Sequence, residues 1–208
     1  MSHMEPLRRE DLADLEDVWD VYDRSMGFVP RSLFTMARRP EILRAFSDLI
    51  TAIWRTGTLP VELKPLVAII SSTAGGCRYC QAHETVDARM RGVPEEKIAE
   101  IWNFERSPLY TDGECAALRF ARDASLVPNE VTASHFVDLR RHWDDGQIVE
   151  IMSVIGLFGF LNRWNDTMST ELEPEPFDLA SRTIGVHGWE PGKHSASGTE
   201  GSTRAPSR

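Results

Sequence analysis

Cys77 and Cys80 stand three positions apart in the stretch GGCRYCQAHE, residues 75–84, with His83 three further on and Glu84 beside it. A three-residue spacing lets two sulfurs approach closely enough to form a disulfide. If the glycine pair ends one helix and the next begins near Cys77, both thiols lie in a first helical turn. Unpaired N–H groups and the helix dipole favour an anion there. That placement is expected to lower a thiol pKa, and the thiolate is the reactive species. Arg78 could add positive charge.

Helical geometry sorts the neighbours. At about 100° per residue, with Cys77 as zero, Cys80 falls near about −60°, Glu84 near about −20° and His83 near about −120°. His83 therefore flanks the Cys80 side, where it can accept the thiol proton or stabilise the thiolate, and this favours Cys80 as the attacking sulfur. Glu84 faces the side of both sulfurs. A carboxylate there disfavours a thiolate unless it relays the proton, and both roles stay open. So do two other readings of the pair, inert packing and a metal site. A zinc site needs four ligands, and Cys77, Cys80 and His83 supply three on one short helical turn. His135, His142, His187 and His194 show no ligand-like spacing, so the metal reading is the weaker functional one.

The elements that must position these residues read as helices throughout. Residues 9–27 place Leu12, Leu15, Val18, Trp19 and Tyr22 at helical spacing and stop at Gly27. Pro30 and Pro40 each stand at a helix start, the second opening residues 40–57. Residues 59–76 form a more apolar helix broken by Gly75 and Gly76, Gly92 ends the cysteine helix, and Pro94 opens the next. Thr111 to Glu114 is a capping box before a helix starting near Cys115. A helix is expected over Thr132 to Trp143, and Asp144 or Asp145 caps the apolar stretch that runs to Met168. No period-2 strand is evident. The expectation is one all-α domain over residues 1–184, with a disordered Gly-, Ser- and Pro-rich tail over 185–208.

Composition narrows the partners. The 208 residues carry a formal net charge of −9 and 41% apolar residues, ordinary for a soluble domain. No basic cluster of the kind that binds phosphate backbones occurs, which argues against nucleic acid. The stretch from Ile148 to Leu161 is interrupted by Glu150 and Ser153 and is too short to span a bilayer. Residues 1–4, MSHM, read as a cloning remnant rather than a targeting signal. Three cysteines are no disulfide framework, so a cytoplasmic protein is expected, with Cys115 as inert core. Asn162 and Asp166, one turn apart on an apolar helix, are read as lining a pocket, contacting another subunit or reaching solvent. The tryptophans, Trp19, Trp54, Trp102 and Trp164 among them, are read as core and interface anchors.

Residues 57–89, GTLPVELKPLVAIISSTAGGCRYCQAHETVDAR, resemble the core motif of the carboxymuconolactone decarboxylase and alkylhydroperoxidase D-like superfamily, in particular its peroxidase-related branch. The pattern is Leu-Pro, an apolar helix, a small-residue break, then C-x-Y-C with a following histidine. Flanking segments extend the resemblance to about residues 27–174. It implies an all-helical, homo-oligomeric thiol peroxidase without a tightly held cofactor, acting on hydrogen peroxide or organic hydroperoxides. Carried over, Cys80 is the peroxidatic residue, Cys77 the resolving one and His83 the proton-relay histidine. An external dithiol or a protein reductant would restore the pair. Well-known peroxidase members carry a glutamate about a dozen residues before the first cysteine, where this chain has Pro65. They also place the histidine where this chain has Glu84. Glu62 and Glu84 are then the candidate replacements for the relay acid. The alternative is a non-catalytic redox-responsive or interaction protein on the same scaffold.

Overall fold

The computed structural model describes residues 2–195. In chain order its helices are α1 (Glu16–Met26), α2 (Arg31–Met36), α3 (Pro40–Arg55), α4 (Leu63–Ala74), α5 (Arg78–Met90), α6 (Glu95–Ala99), α7 (Asp112–Ser125), α8 (Ala133–Leu139), α9 (Asp145–Met168) and α10 (Pro174–Arg182). Among the described residues there is no strand, as expected. No helix there is long and apolar enough to cross a membrane.

Helix α4 is the axis. Its residues from Leu63 to Ser72 are all buried, so it has no solvent face, and it packs against α5, α7 and α9. Pro65 sits in its first turn, where a missing N–H leaves no hydrogen bond unmade. Lys64, buried beside it, donates from Nζ to Ile53 O at 2.8 Å and Thr56 O at 2.9 Å and lies 3.4 Å from Glu150 Oε2. Glu150 in turn accepts the N–H groups of Thr58 and Leu59, which ties the α3–α4 loop to α9.

The glycine pair does what its position implies. Gly76 has φ +75°, its N–H donates to Thr73 O, and the Cys77 N–H donates to Ser72 O. This is the paired bonding of a Schellman ending, and it needs a left-handed residue that glycine supplies without strain. A side chain at Gly75 would meet Asn162 Nδ2 at 2.8 Å, so α9 crosses α4 closely at this point. The chain thus turns within two residues, and Cys77 becomes the N-cap of α5.

Most other starts follow the sequence. Pro40 is at the first turn of α3, Thr111 and Glu114 form the capping box of α7, and Asp144 with Gln147 caps α9. Gly27 closes α1 with φ +79°. Three expectations change. The first helix begins at Glu16, because Arg9–Asp11 and Ala13–Leu15 are separate 3-10 turns around a non-helical Leu12. The helix after Thr132 stops at Leu139, and the turn beyond lets Trp143 Nε1–H reach Gly113 O at 3.0 Å. The segment after residue 184 is not a loose tail throughout. Residues 185–195 fold against the body, with Trp189 and His194 buried, because those two rings find apolar cover that the Gly- and Ser-rich composition hides. The remaining expectation of disorder falls on residues 196–208, outside the described residues.

Candidate active site

Cys77 is fully buried, and Cys80 is 2% exposed. Their sulfurs are free thiols 3.3 Å apart, and the Cys80 N–H points at Cys77 Sγ from 3.5 Å. Closing a disulfide asks for about 1.3 Å of further approach. Cys80 also accepts from Asn165 Nδ2 at 3.4 Å, and Asn165 is oriented by Thr170 Oγ1–H on its Oδ1 at 2.9 Å. The apolar helix α9 does therefore send a polar group to the sulfurs, but it is Asn165. Asn162 instead donates to Ser71 O, and Asp166 pairs with Lys193 at 2.8 Å.

The expectation of a lowered thiol pKa does not survive burial. Desolvation pushes the Cys80 thiol well above its ordinary range, Cys77 adds to this, and the Asn165 amide works the other way. Cys80 rests as a thiol, and its proton must leave as it reacts.

His83 stands one turn along α5 from Cys80, stacked on Tyr79 with ring centroids 4.2 Å apart. Its Nε2 is 2.7 Å from Glu173 Oε2, while Glu173 Oε1 accepts Tyr79 O–H at 3.0 Å and Arg31 N–H at 2.7 Å. Burial alone would raise the Glu173 carboxyl, but His83 and the Arg31 N–H overcome it and hold it below the usual carboxylate range. Glu173 is thus an ionised acid fixed by three residues of two helices, His83 and Tyr79 of α5 and Arg31 of α2. Pro174 at the first turn of α10 marks a helix start in the sequence; nothing local marks the residue before it as a partner of His83, ninety positions away.

Cys80, His83 and Glu84 share the wall of one cavity of about 320 Å³ between α1, α2, α3, α5 and α9. Leu33, Phe46, Ile50, Trp54, Phe158 and Leu161 give it an apolar surface. Cys77 lies behind Cys80, outside that lining. Glu84 is 7% exposed, and burial, with the charge of Asp87, pushes its carboxyl well above the ordinary range despite Arg91.

Glu62 is not brought to the site. It is exposed at the start of α4, whose twelve residues separate it from the cysteines by about 18 Å, in a different hollow beside Pro94 and Trp143. The structure therefore gathers Cys77, Cys80, His83 and Glu84, adds Glu173, Tyr79 and Asn165, and leaves Glu62 out. Among the described residues, no group of three or more His, Cys, Asp or Glu side chains could hold a metal ion.

Comparison with known proteins bears on the family and the fold. The model of the carboxymuconolactone decarboxylase family matches residues 40–123. Over 86% of this chain and 96% of the other, the fold superposes on the debrominase Bmp8 in complex with 2,3,4-tribromopyrrole, with a TM-score of 0.82 and 34% identity. An uncharacterized peroxidase-related protein from Ralstonia eutropha JMP134, described as an alkylhydroperoxidase AhpD core, shares the fold. Its TM-score is 0.75 and its identity 24%, over 85% of this chain and 94% of that one. The uncharacterized protein YnjA of Escherichia coli K12 is 25% identical over 167 residues, 69% of this chain and 92% of its own length.

Proposed function

This chain belongs to the carboxymuconolactone decarboxylase family, and from that premise we propose that it is a thiol-dependent peroxidase of the alkylhydroperoxidase D-like kind. The observation that carries this reading is the ordered pair of sulfurs: Cys80 on the wall of an apolar cavity, and Cys77 3.3 Å away and outside it. An oxidant entering the cavity meets Cys80 first.

In the proposed cycle, His83 gives its Nε2–H to Glu173, which leaves Nδ1 as the acceptor for the Cys80 proton. Glu173 stabilises the imidazolium so formed. The Cys80 thiolate attacks the outer oxygen of a hydroperoxide, the O–O bond breaks, and the departing alkoxide takes the proton back from His83. Cys80 is left as a sulfenic acid. Cys77 then displaces its hydroxyl, which leaves as water with the Cys77 proton, and the disulfide closes. An external dithiol returns the two electrons. A cavity of about 320 Å³ with apolar walls suits an organic hydroperoxide better than hydrogen peroxide.

A second reading has its own support. The likeness to a debrominase bound to tribromopyrrole, at 34% identity, and the ring-sized apolar cavity favour reductive dehalogenation by the same dithiol. Cys80 would then attack bromine instead of oxygen, the carbon would take a proton, and Cys77 would release bromide as the disulfide forms. Apolar side chains that α9 leaves exposed, Val149, Met152 and Phe160, suit a second copy of the chain, and light scattering of the purified protein checks the homo-oligomer.

Steady-state turnover with dithiothreitol tests the first reading. Cumene hydroperoxide is expected to be consumed faster than hydrogen peroxide, with turnover lost in Cys80→Ser. Bromide release from a bromopyrrole without peroxide turnover would move the assignment to the second reading. One oxidation per chain with no turnover would favour the redox-responsive protein.

A further inference from the structure

Glu84 lies one turn beyond Cys80 on the same face of α5, and both stand on the cavity wall. Its Oε2 is buried without a hydrogen-bond partner. The groups beside it are already committed: Asp87 accepts Trp54 Nε1–H at 3.0 Å and Arg91 Nε–H at 2.6 Å. Elsewhere on the wall polar groups are matched, Tyr22 by Ser47 at 3.1 Å and His83 by Glu173. A buried acid left unpaired costs the fold stability, so packing gives no reason for a glutamate here. With its carboxyl held neutral by burial, Glu84 can both donate and accept a hydrogen bond.

We propose that Glu84 determines specificity, receiving a hydroxyl or ring N–H of a ring-sized, otherwise apolar substrate whose electrophilic atom faces Cys80 Sγ. Side chains four apart on a helix have Cβ atoms about 5–6 Å from each other, the span of one substituted ring. The site then selects phenol-like or azole-like molecules over plain hydrocarbons of the same shape. The electrophilic end of this substrate rests on the dithiol chemistry proposed above; recognition at Glu84 does not.

Binding of phenol and toluene to the reduced full-length protein, followed through the fluorescence of its tryptophans, separates the two ends, because neither probe can oxidise a thiol. Glu84→Leu is expected to lower the affinity for phenol relative to toluene by about tenfold, while Glu84→Gln keeps the wild-type ratio. An unchanged ratio in Glu84→Leu overturns the assignment. Infrared difference spectra carry the test in the wild type, with Glu84→Gln serving only to identify the band. Phenol should shift the carbonyl band of a protonated carboxyl, a band removed by Glu84→Gln, and toluene should not; a band that phenol leaves in place overturns the assignment. Oxidation of Cys77 and Cys80 by cumene hydroperoxide, measured separately, reports on the dithiol reading alone.

Discussion

His83–Glu173 and Lys64–Glu150 each join a buried basic group to a partly buried carboxylate, 2.7 Å and 3.4 Å apart, yet they sit in opposite situations. Lys64 also donates to two main-chain carbonyls, and Glu150 accepts two main-chain N–H groups, so that pair's capacity goes into holding a loop to a helix. His83 gives one nitrogen to Glu173 and stands on the wall of a cavity, beside a thiol that must lose a proton. Burial of charge alone does not mark function. It does so where a titratable group keeps unspent hydrogen-bonding capacity and faces a space that a ligand can enter.

Breaking each pair should therefore have different consequences. Lys64→Met leaves the partly buried Glu150 without its cation and two main-chain carbonyls without their donor, and is expected to cost about 3 kcal/mol in urea unfolding, with the oxidation rate of the remaining folded chains unchanged. Loss of thiol reactivity in folded Lys64→Met protein would erase the contrast. Glu173→Gln should do the reverse. Turnover is expected to fall by about 10²-fold, because the imidazolium loses its counter-ion, with a smaller effect on stability. The pH dependence sharpens this. The folded-state pKa of Glu173 lies below 4.5, so its contribution to stability is complete above that pH and is lost as pH falls through the folded value. Acid unfolding of Glu173→Gln should lack that component.

Glu84 is shifted the other way. Its folded carboxyl keeps its proton while the unfolded chain releases one above pH 4.5, so stability declines as pH rises from there. Glu84→Gln is expected to stabilise the protein by about 1 kcal/mol at pH 7, a gain that vanishes below pH 4.5, in thermal melts across that range. The smallest effect is expected at Cys115, which is half-buried and whose thiol donates to Phe104 O at 3.4 Å. Cys115→Ser should change stability by less than about 0.5 kcal/mol and leave peroxide-driven oxidation of the other two cysteines intact.

The sequence carried the helical fold and the dithiol because both are local. Gly75–Gly76, Thr111 with Glu114, and Asp144 with Gln147 are endings and caps decided within a few residues. What it could not carry depends on solvent exclusion and helix phase. The Cys80 thiol is raised by burial, which no residue near it announces. Helix α9 is apolar around much of its circumference, so its hydrophobic pattern does not say which face meets α5, and Asn165 rather than Asn162 or Asp166 reaches the sulfur. Glu173 arrives from across the fold, and α4 holds Glu62, which the family resemblance made a candidate, a helix length away from the site.

The ordering of the two sulfurs can be measured directly. In a Cys77→Ser protein treated with one equivalent of cumene hydroperoxide in the presence of dimedone, peptide mass spectrometry should find the dimedone adduct on Cys80. The wild-type protein, oxidised the same way, should show a Cys77–Cys80 disulfide. Free thiols at both positions after oxidation, or a dimedone adduct on Cys77 in a Cys80→Ser protein formed as fast as the one on Cys80, would contradict the account.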